Sequence, residues 1–323
     1  MEKTITTKNG LRKFIPQPER YAARYGIFTL TPRDLDIIER VWRYRHLTTD
    51  HIRALTPGSD QQITRRLQGL FHNLYLARYA PRERMRHDLN AGSPVLAYGL
   101  ETTGWRALQD HGRARTDADL ENSELEQAAP DAWRQVYTRR TSYFLEHHLG
   151  VSNFHCVLEL ALRDGAARGL SLLEWDQSKA IRGKVTLRGG KVYRTAPDAY
   201  FSIKDAEDRV RNCFLEYDAS SEERRRILEK YIRYWWWVQS PAYRDGHQDH
   251  EHVAVLFVTT GEKRLANLMQ VLREMQKPNN PPFGGKGIFA FALESDYQLA
   301  APASILAPIW RTVTKPKERI ALV

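Results

Sequence analysis

Residues 117–131 carry six acids (Asp117, Asp119, Glu121, Glu124, Glu126 and Asp131), no base, and Pro130 near their end. A run of one charge sign cannot bury itself in a core, and such a composition shift marks a linker or domain boundary. It divides the chain into two parts, each of which needs its own core. At 323 residues, 42% of them apolar, the chain is long enough for two. The parts also differ in charge. Residues 1–116 hold 20 Lys/Arg and 11 Asp/Glu, or +9, while the remainder holds 29 and 28, or +1. A field of that sign attracts a polyanion, and phosphate neutralisation supplies most non-specific affinity for nucleic acid. Solubility is the plainer account of a basic chain, but it does not explain why the excess sits at one end.

Residues 1–30 read as an irregular basic arm interrupted by Pro16 and Pro18. Thr31-Pro32 then opens a helix, a cap residue followed by proline at the first helical position. Leu35, Ile38, Val41 and Trp42 give that helix an apolar stripe at helical spacing. A second helix is expected near Thr49–Leu55. After the Gly58-Ser59-Asp60 turn a third is expected over 59–74, with Ile63, Leu67, Leu70, Phe71 and Leu74 on its apolar face. Two short strands follow near Leu74–Ala80 and Val95–Leu100, joined by a basic excursion with Arg82, Arg84 and Arg86. A further helix leaves Thr103-Gly104 through Trp105 and Leu108. Three helices and a two-stranded wing are the layout of a winged helix-turn-helix. The expected organisation is a basic arm at 1–30, a winged helix-turn-helix DNA-binding domain at 31–116, an acidic linker at 117–132 and a second domain at 133–323.

The second domain reads as a long helix from Trp133 to about Asp164, then a strand near Leu170–Trp175 and extended segments at Lys184–Arg188 and Lys191–Ile203. A strand at Asn212–Tyr217, a charged helix near Glu222–Val238, a strand at His252–Thr259, a helix at Glu262–Met275 and a strand at Gly287–Leu293 complete it. That order predicts an α/β sandwich on a mixed sheet, and an α+β fold for the whole chain. Cys156 and Cys213 are too few for a disulfide framework or a cysteine zinc site. No apolar run approaches the roughly 18 residues of a membrane span. The N-terminus, with Glu2, Thr4 and Thr6, has no apolar signal-peptide core. A soluble, cytoplasmic protein with no membrane partner is expected.

The third helix turns Gln61, Gln62, Thr64, Arg65, Arg66, Gln68 and Asn73 away from its apolar face. A helix fits the major groove, where arginine reads guanine bidentately and glutamine reads adenine. Arg82, Arg84 and Arg86 on the wing are placed to hold phosphates or enter the minor groove. The plainer reading is a solvated face on a protein-binding module. Elsewhere, Pro197-Asp198 and Glu216-Tyr217-Asp218 end two expected strands with carboxylates. If those strands are neighbours, Asp198 and Glu216 meet and bind one Mg²⁺ or Mn²⁺ through hard oxygens, and a nearby lysine stabilises charge on a scissile phosphate. On spacing alone, two ordinary surface carboxylates are the better account.

Three other signals carry less. His247, His250 and His252 with Asp249 have the residue types of a zinc site but read as a polar surface loop. Gly284-Gly285-Lys286-Gly287 is no phosphate loop, because Asn280 stands where the first glycine belongs and a strand follows. Trp235, Trp236 and Trp237 point in three directions from one helix, and packing against the N-terminal domain is preferred over base stacking or a partner surface for them.

The strand order with Pro197-Asp198 and Glu216-x-Asp218 resembles the PD-(D/E)xK nuclease core, a restriction-endonuclease-like fold. Over roughly residues 30–260 the chain resembles the bacterial replication-relaxation family. The matching stretches are Leu30-Thr31-Pro32-Arg33-Asp34, Val95–Leu100 with Thr103-Gly104, His147-His148-Leu149-Gly150-Val151-Ser152-Asn153, Pro197-Asp198 and Phe214-Leu215-Glu216-Tyr217-Asp218, with Lys230 and Tyr234 on the following helix. The resemblance implies a winged helix followed by a nuclease-like domain, in the setting of plasmid or mobile-element replication and DNA relaxation. Asp218 departs from the pattern, standing where the catalytic lysine is expected. Lys230 then takes that role, Arg224, Arg225 and Arg226 lie nearer in sequence, and Glu146 or Glu159 supplies a further acid.

The reading favoured is a protein that binds double-stranded DNA through Gln61, Gln62, Thr64, Arg65, Arg66, Arg82, Arg84 and Arg86, with replication, relaxase or other mobile-element proteins as partners. One alternative is a nicking endonuclease with catalytic Asp198, Glu216 and Lys230, whose Mg or Mn sits on Asp198 and Glu216. Another is a transcriptional regulator with an inactive nuclease-like domain. A homodimer suits palindromic sites, though nothing in the sequence requires one.

Overall fold

The computed structural model describes residues 3–6, 11–81, 95–113, 142–165, 169–178, 180–187, 189–219, 223–247, 252–275 and 287–322. The chain divides into two compact units, Met1–Asn153 and Phe154–Val323. The division falls inside a helix, and the acidic stretch 117–131 lies outside the described residues.

The first unit runs β1 (Thr4–Thr6), β2 (Arg12–Phe14), α1 (Pro18–Tyr25), α2 (Pro32–Tyr44), β3 (His46–Thr48), α3 (Thr49–Leu55), α4 (Asp60–His72), β4 (Leu76–Ala80), β5 (Ala97–Leu100) and α5 (Thr102–Asp110). The first 30 residues therefore depart from the irregular arm expected of them. β1 and β2 pair antiparallel, and β2 joins β4 through Arg12↔Ala80 and Lys13↔Tyr79. The sheet order is β1-β2-β4-β5-β3. The expected helices α2, α3, α4 and α5 are all present.

Local chemistry fixes the helix starts. The Thr31 amide and hydroxyl both donate to Asp34 Oδ2, at 2.7 and 2.6 Å, closing the first turn of α2. Thr48 Oγ1 accepts from the His51 amide at 3.2 Å while the Thr48 amide donates to His51 Nδ1, so a histidine completes the reciprocal cap of α3. Ser59 accepts from the Gln62 amide at the start of α4. Ile37, Ile38, Val41, Ile52, Ile63, Leu67 and Leu70 are fully buried, which places the core between the helices. α6 (Ser142–Gly165) follows, and within this unit Leu145 and Leu149 bury with Leu11, Tyr79 and Ala97.

The second unit carries β6 (Ser171–Asp176), β7 (Lys184–Thr186), β8 (Val192–Arg194), β9 (Ala199–Lys204), β10 (Val210–Asp218), α7 (Arg224–Val238), α8 (Pro241–Gly246), β11 (Val253–Thr259), α9 (Glu262–Met275), β12 (Phe289–Leu293), β13 (Trp310–Arg311) and β14 (Arg319–Ile320). Seven strands form one sheet in the order β14-β13-β12-β11-β10-β9-β6. β10, β11 and β12 are parallel, and their neighbours on both sides are antiparallel. The sheet is thus mixed and the chain α+β, as expected. One face packs Phe214 and Phe257 against Tyr231, Tyr234 and Trp237 of α7 and Leu265, Leu268 and Leu272 of α9. The other face gathers Phe201, Trp175, Tyr297 and Trp310 around Phe154 of α6. β7 and β8 form a separate two-stranded ribbon. Among the described residues no helix is long and apolar enough to cross a membrane.

In the first unit, α5 lies against backbone at Gly104, where a Cβ would stand 2.3 Å from the Tyr75 carbonyl oxygen. Backbone cannot yield as a side chain can. Gly104→Ala is expected to lower stability by about 1–3 kcal/mol, read as a reduced unfolding midpoint in denaturant. A wild-type midpoint would show that α5 is not held this closely.

Candidate functional site

In the first unit, attention falls on α4. Gln61, Gln62, Thr64 and Arg65 are exposed on it, while Ile63, Leu67 and Leu70 are buried, so the polar residues form an outward face. Thr64 donates to the Asp60 carbonyl and accepts from Arg53 Nη2 at 2.9 Å. Gln62 Oε1 accepts a long bond from Arg33 at 3.4 Å. Gln61 and Arg65 have no hydrogen bond or ion pair among the described residues. Arg66 differs. Its Nε lies 2.7 Å from Asp34 Oδ1, its Nη2 contacts Asp34 Oδ2 and donates to the Thr29 carbonyl at 2.8 Å, and its guanidinium sits over the Phe28 ring. The hydrogen bond to Asp34 raises the Arg66 pKa, against the opposing effect of its partial burial. Asp34 is fully buried. Arg66 therefore ties α4 to α2, which separates it from Gln61, Gln62, Thr64 and Arg65, the four other α4 residues expected to touch DNA. Arg82, Arg84 and Arg86 lie outside the described residues.

In the second unit, the carboxylates meet at the C-terminal end of β10. The Asp198 amide donates to the Leu215 carbonyl at 3.0 Å, and the Tyr217 amide donates to Asp198 Oδ2 at 2.8 Å. Asp198 is thus held at the point where β9 begins to pair with β10 through Ala199↔Leu215. Glu216 is 3% exposed and projects from β10 toward α7. Lys230 Nζ lies 2.8 Å from its Oε2, and the Tyr234 hydroxyl donates to its Oε1 at 2.5 Å. Lys230 and Tyr234 are one helical turn apart on α7, so one face of that helix delivers both groups. Burial pushes the Glu216 carboxyl up to about 7, opposed by Lys230 and Tyr234 and reinforced by the charge of Asp198. Asp198, Glu216 and Lys230 are therefore brought together.

Asp218, where the family pattern expects lysine, is paired instead. Arg264 of α9 reaches its Oδ2 through Nε at 2.8 Å and Nη2 at 2.7 Å. Sequence reasoning passed over Arg264, because its partner sits on a strand 46 residues earlier and nothing local marks the pair. Tyr234 was noted without a role, and the structure gives it one. Glu159 pairs with Arg163 on its own helix, and Glu146 belongs to the first unit.

Mg or Mn, which the family resemblance implies, takes hard carboxylate oxygens of this kind. Here both Glu216 oxygens accept bonds from Lys230 and Tyr234, and Asp198 Oδ2 accepts from Tyr217. Among the described residues, no group of three His, Cys, Asp or Glu side chains is placed to hold a metal. The arrangement is a hydrogen-bonded ion pair beside a carboxylate, and a cation held by Asp198 and Glu216 would share their oxygens with Lys230, Tyr234 and the Tyr217 amide. His247, half-buried, stacks on Tyr243 and hydrogen-bonds its carbonyl; His250 and Asp249 lie outside the described residues, as do residues 284–286. Trp237 is buried, packed against Phe214 and Gly183 of its own unit rather than against the N-terminal domain as expected.

A family model described as replication-relaxation matches residues 39–249, more than half of the chain. No curated protein and no solved structure matches it.

Because Glu216 is raised in the folded state, it holds its proton better folded than unfolded. Its contribution to stability is full below pH 4.5, the ordinary carboxyl value, and is lost as the pH rises to about 7. Glu216→Gln is expected to remove that part of the pH dependence, at most ~3 kcal/mol across the window. Denaturant unfolding from pH 4 to 8 checks it. An unchanged slope would mean that Glu216 ionises normally.

Proposed function

The chain belongs to the replication-relaxation family, and from that premise we propose that it is a double-stranded DNA-binding protein of plasmid or mobile-element replication and relaxation. The first unit acts as a winged helix-turn-helix, with α4 in the major groove and β4 and β5 as the strands of the wing. Replication or relaxase proteins are its partners. One observation carries the reading: Gln61, Gln62, Thr64 and Arg65 stand exposed together on α4, while the remaining arginine, Arg66, is spent on Asp34. The +9 balance of residues 1–116 supplies the attraction to phosphate. Side chains at the N-terminal part of a recognition helix are the ones that reach base edges.

A second reading, DNA cleavage at a nuclease-like site of Asp198, Glu216 and Lys230, is favoured by the 2.8 Å contact of Lys230 with Glu216. Supercoiled plasmid with and without Mn²⁺ separates the two. Metal-dependent nicking that Lys230→Ala abolishes, with binding retained, supports the enzyme. Intact plasmid, merely retarded, leaves the second unit as a scaffold.

For the main reading, a duplex is selected from a random library and binding is followed by fluorescence anisotropy. Gln61→Ala with Arg65→Ala is expected to weaken binding about 10- to 100-fold, with the unfolding midpoint unchanged because both residues are exposed. Wild-type affinity in that double variant would overturn the assignment of α4.

A further inference from the structure

From Gln177 to Pro197 the sequence holds six Lys/Arg and no acid: Lys179, Arg182, Lys184, Arg188, Lys191 and Arg194. The β7–β8 ribbon is built from this segment. Its register sets Lys184 opposite Arg194, Val185 opposite Tyr193 and Thr186 opposite Val192. Alternate residues of a strand share a face. Lys184, Thr186, Val192 and Arg194 therefore lie on one side and Val185 and Tyr193 on the other. The exposure follows: the first set is exposed, and Val185 packs against the core that includes Trp237 of α7. The pairing extends past the strands, with the Thr195 amide donating to the Gly183 carbonyl at 2.9 Å and the Gly183 amide to Thr195 Oγ1 at 3.0 Å. Gly189 and Gly190, both at positive φ, close the tip.

Like charges directly opposite on neighbouring strands repel. Lys184 and Arg194 nonetheless face each other on an exposed ribbon, and Arg182, Lys184, Lys191 and Arg194 form no ion pair among the described residues. Lys191 leans over the Tyr193 ring, with Nζ 4.9 Å from its centroid. Beside it, Arg233 of α7 adds a further cation to the cleft lined by Lys191, Tyr193, Arg194 and Ile232. The acid in that cleft, Glu229, is already bracketed by Arg225 and Arg233 at 3.2 and 3.1 Å. A repulsive cluster on a ribbon paired through Thr195 and Gly183 calls for an anionic partner with several charges in a row. The width of a two-stranded ribbon matches a groove of duplex DNA, and β8 leads through residues 195–197 directly to Asp198.

We propose that the β7–β8 ribbon is a second DNA-contacting surface, in which Lys184, Lys191 and Arg194, with Arg182, neutralise backbone phosphates of the duplex. This inference rests on the reading of the chain as a DNA-binding protein, but on different residues in a different unit. Full-length wild type is compared with the triple variant Lys184→Ala, Lys191→Ala, Arg194→Ala and, separately, with Arg65→Ala, on a 30-base-pair duplex over a series of salt concentrations. The ribbon variant is expected to bind at least tenfold more weakly and to lose about 2–3 from the slope of log K against log salt, close to one per phosphate contact removed. Its unfolding midpoint should equal or exceed that of wild type, since a like-charge pair is removed. If Arg65→Ala binds as wild type while the ribbon variant is weakened, the ribbon stands and the α4 assignment falls. An unchanged affinity and slope in the ribbon variant overturns the ribbon, as does a wild type that does not bind duplex. A loss of binding to vesicles of phosphatidylserine and phosphatidylcholine, with duplex binding intact, also overturns it.

Discussion

Glu216 is a carboxylate in the middle of a hydrophobic sheet, and the second unit is arranged around making that tolerable. A buried ion left without a partner costs several kcal/mol. The two groups that satisfy it, Lys230 and Tyr234, come from one face of α7 and engage one oxygen each. That pair of contacts sets the rotation and the height of α7 on the sheet. With α7 fixed, Trp237 lies over Gly183, where a Cβ would meet the indole at 2.2 Å, and the ribbon has a floor to pack on. The line of dependence runs from one carboxylate to one helix and from there to the basic ribbon.

The first unit uses the same device in a less buried form. Asp34 is inaccessible, accepts from Thr31 at the cap of α2, and receives Arg66 from α4. One carboxylate thus starts one helix and orients another. The consequence for function is a division of labour along α4: Arg66 holds the helix, and Gln61 and Arg65 remain available to a ligand. The Asp34–Arg66 pair holds the roll of α4 about its axis relative to α2.

The helices of the first unit were legible because their starts are written locally, in Thr31-Pro32, Thr48 and Ser59, and because their apolar positions repeat at helical spacing. The β1–β2 hairpin was not, since three-residue strands have no pattern of their own and β2 gains its partner in β4, far along the chain. β13 and β14 escaped for the same reason, being two residues each. At the site, Asp198, Glu216 and Lys230 came from a resemblance that spacing alone did not support, while the pairing of Asp218 with Arg264 joins a strand to a helix 46 residues later and leaves no trace in sequence. The Arg66–Asp34 pair is invisible to a face argument, because Arg66 flanks the apolar stripe and its partner lies on another helix. The ribbon's strands fall within the extended segments expected at Lys184–Arg188 and Lys191–Ile203, but its charge was missed by averaging, because a balance of +1 taken over residues 117–323 conceals an acid-free segment with six bases.

The most direct test of the account is where DNA shields the chain. Arginines of the full-length protein are modified with a dicarbonyl reagent, with and without duplex DNA, and the sites are read by mass spectrometry. The account predicts that Arg65 and Arg194 lose reactivity in the presence of DNA while Arg163, exposed on α6 and paired with Glu159, keeps its own. Protection that spares both Arg65 and Arg194, or no protection at any arginine, would contradict it.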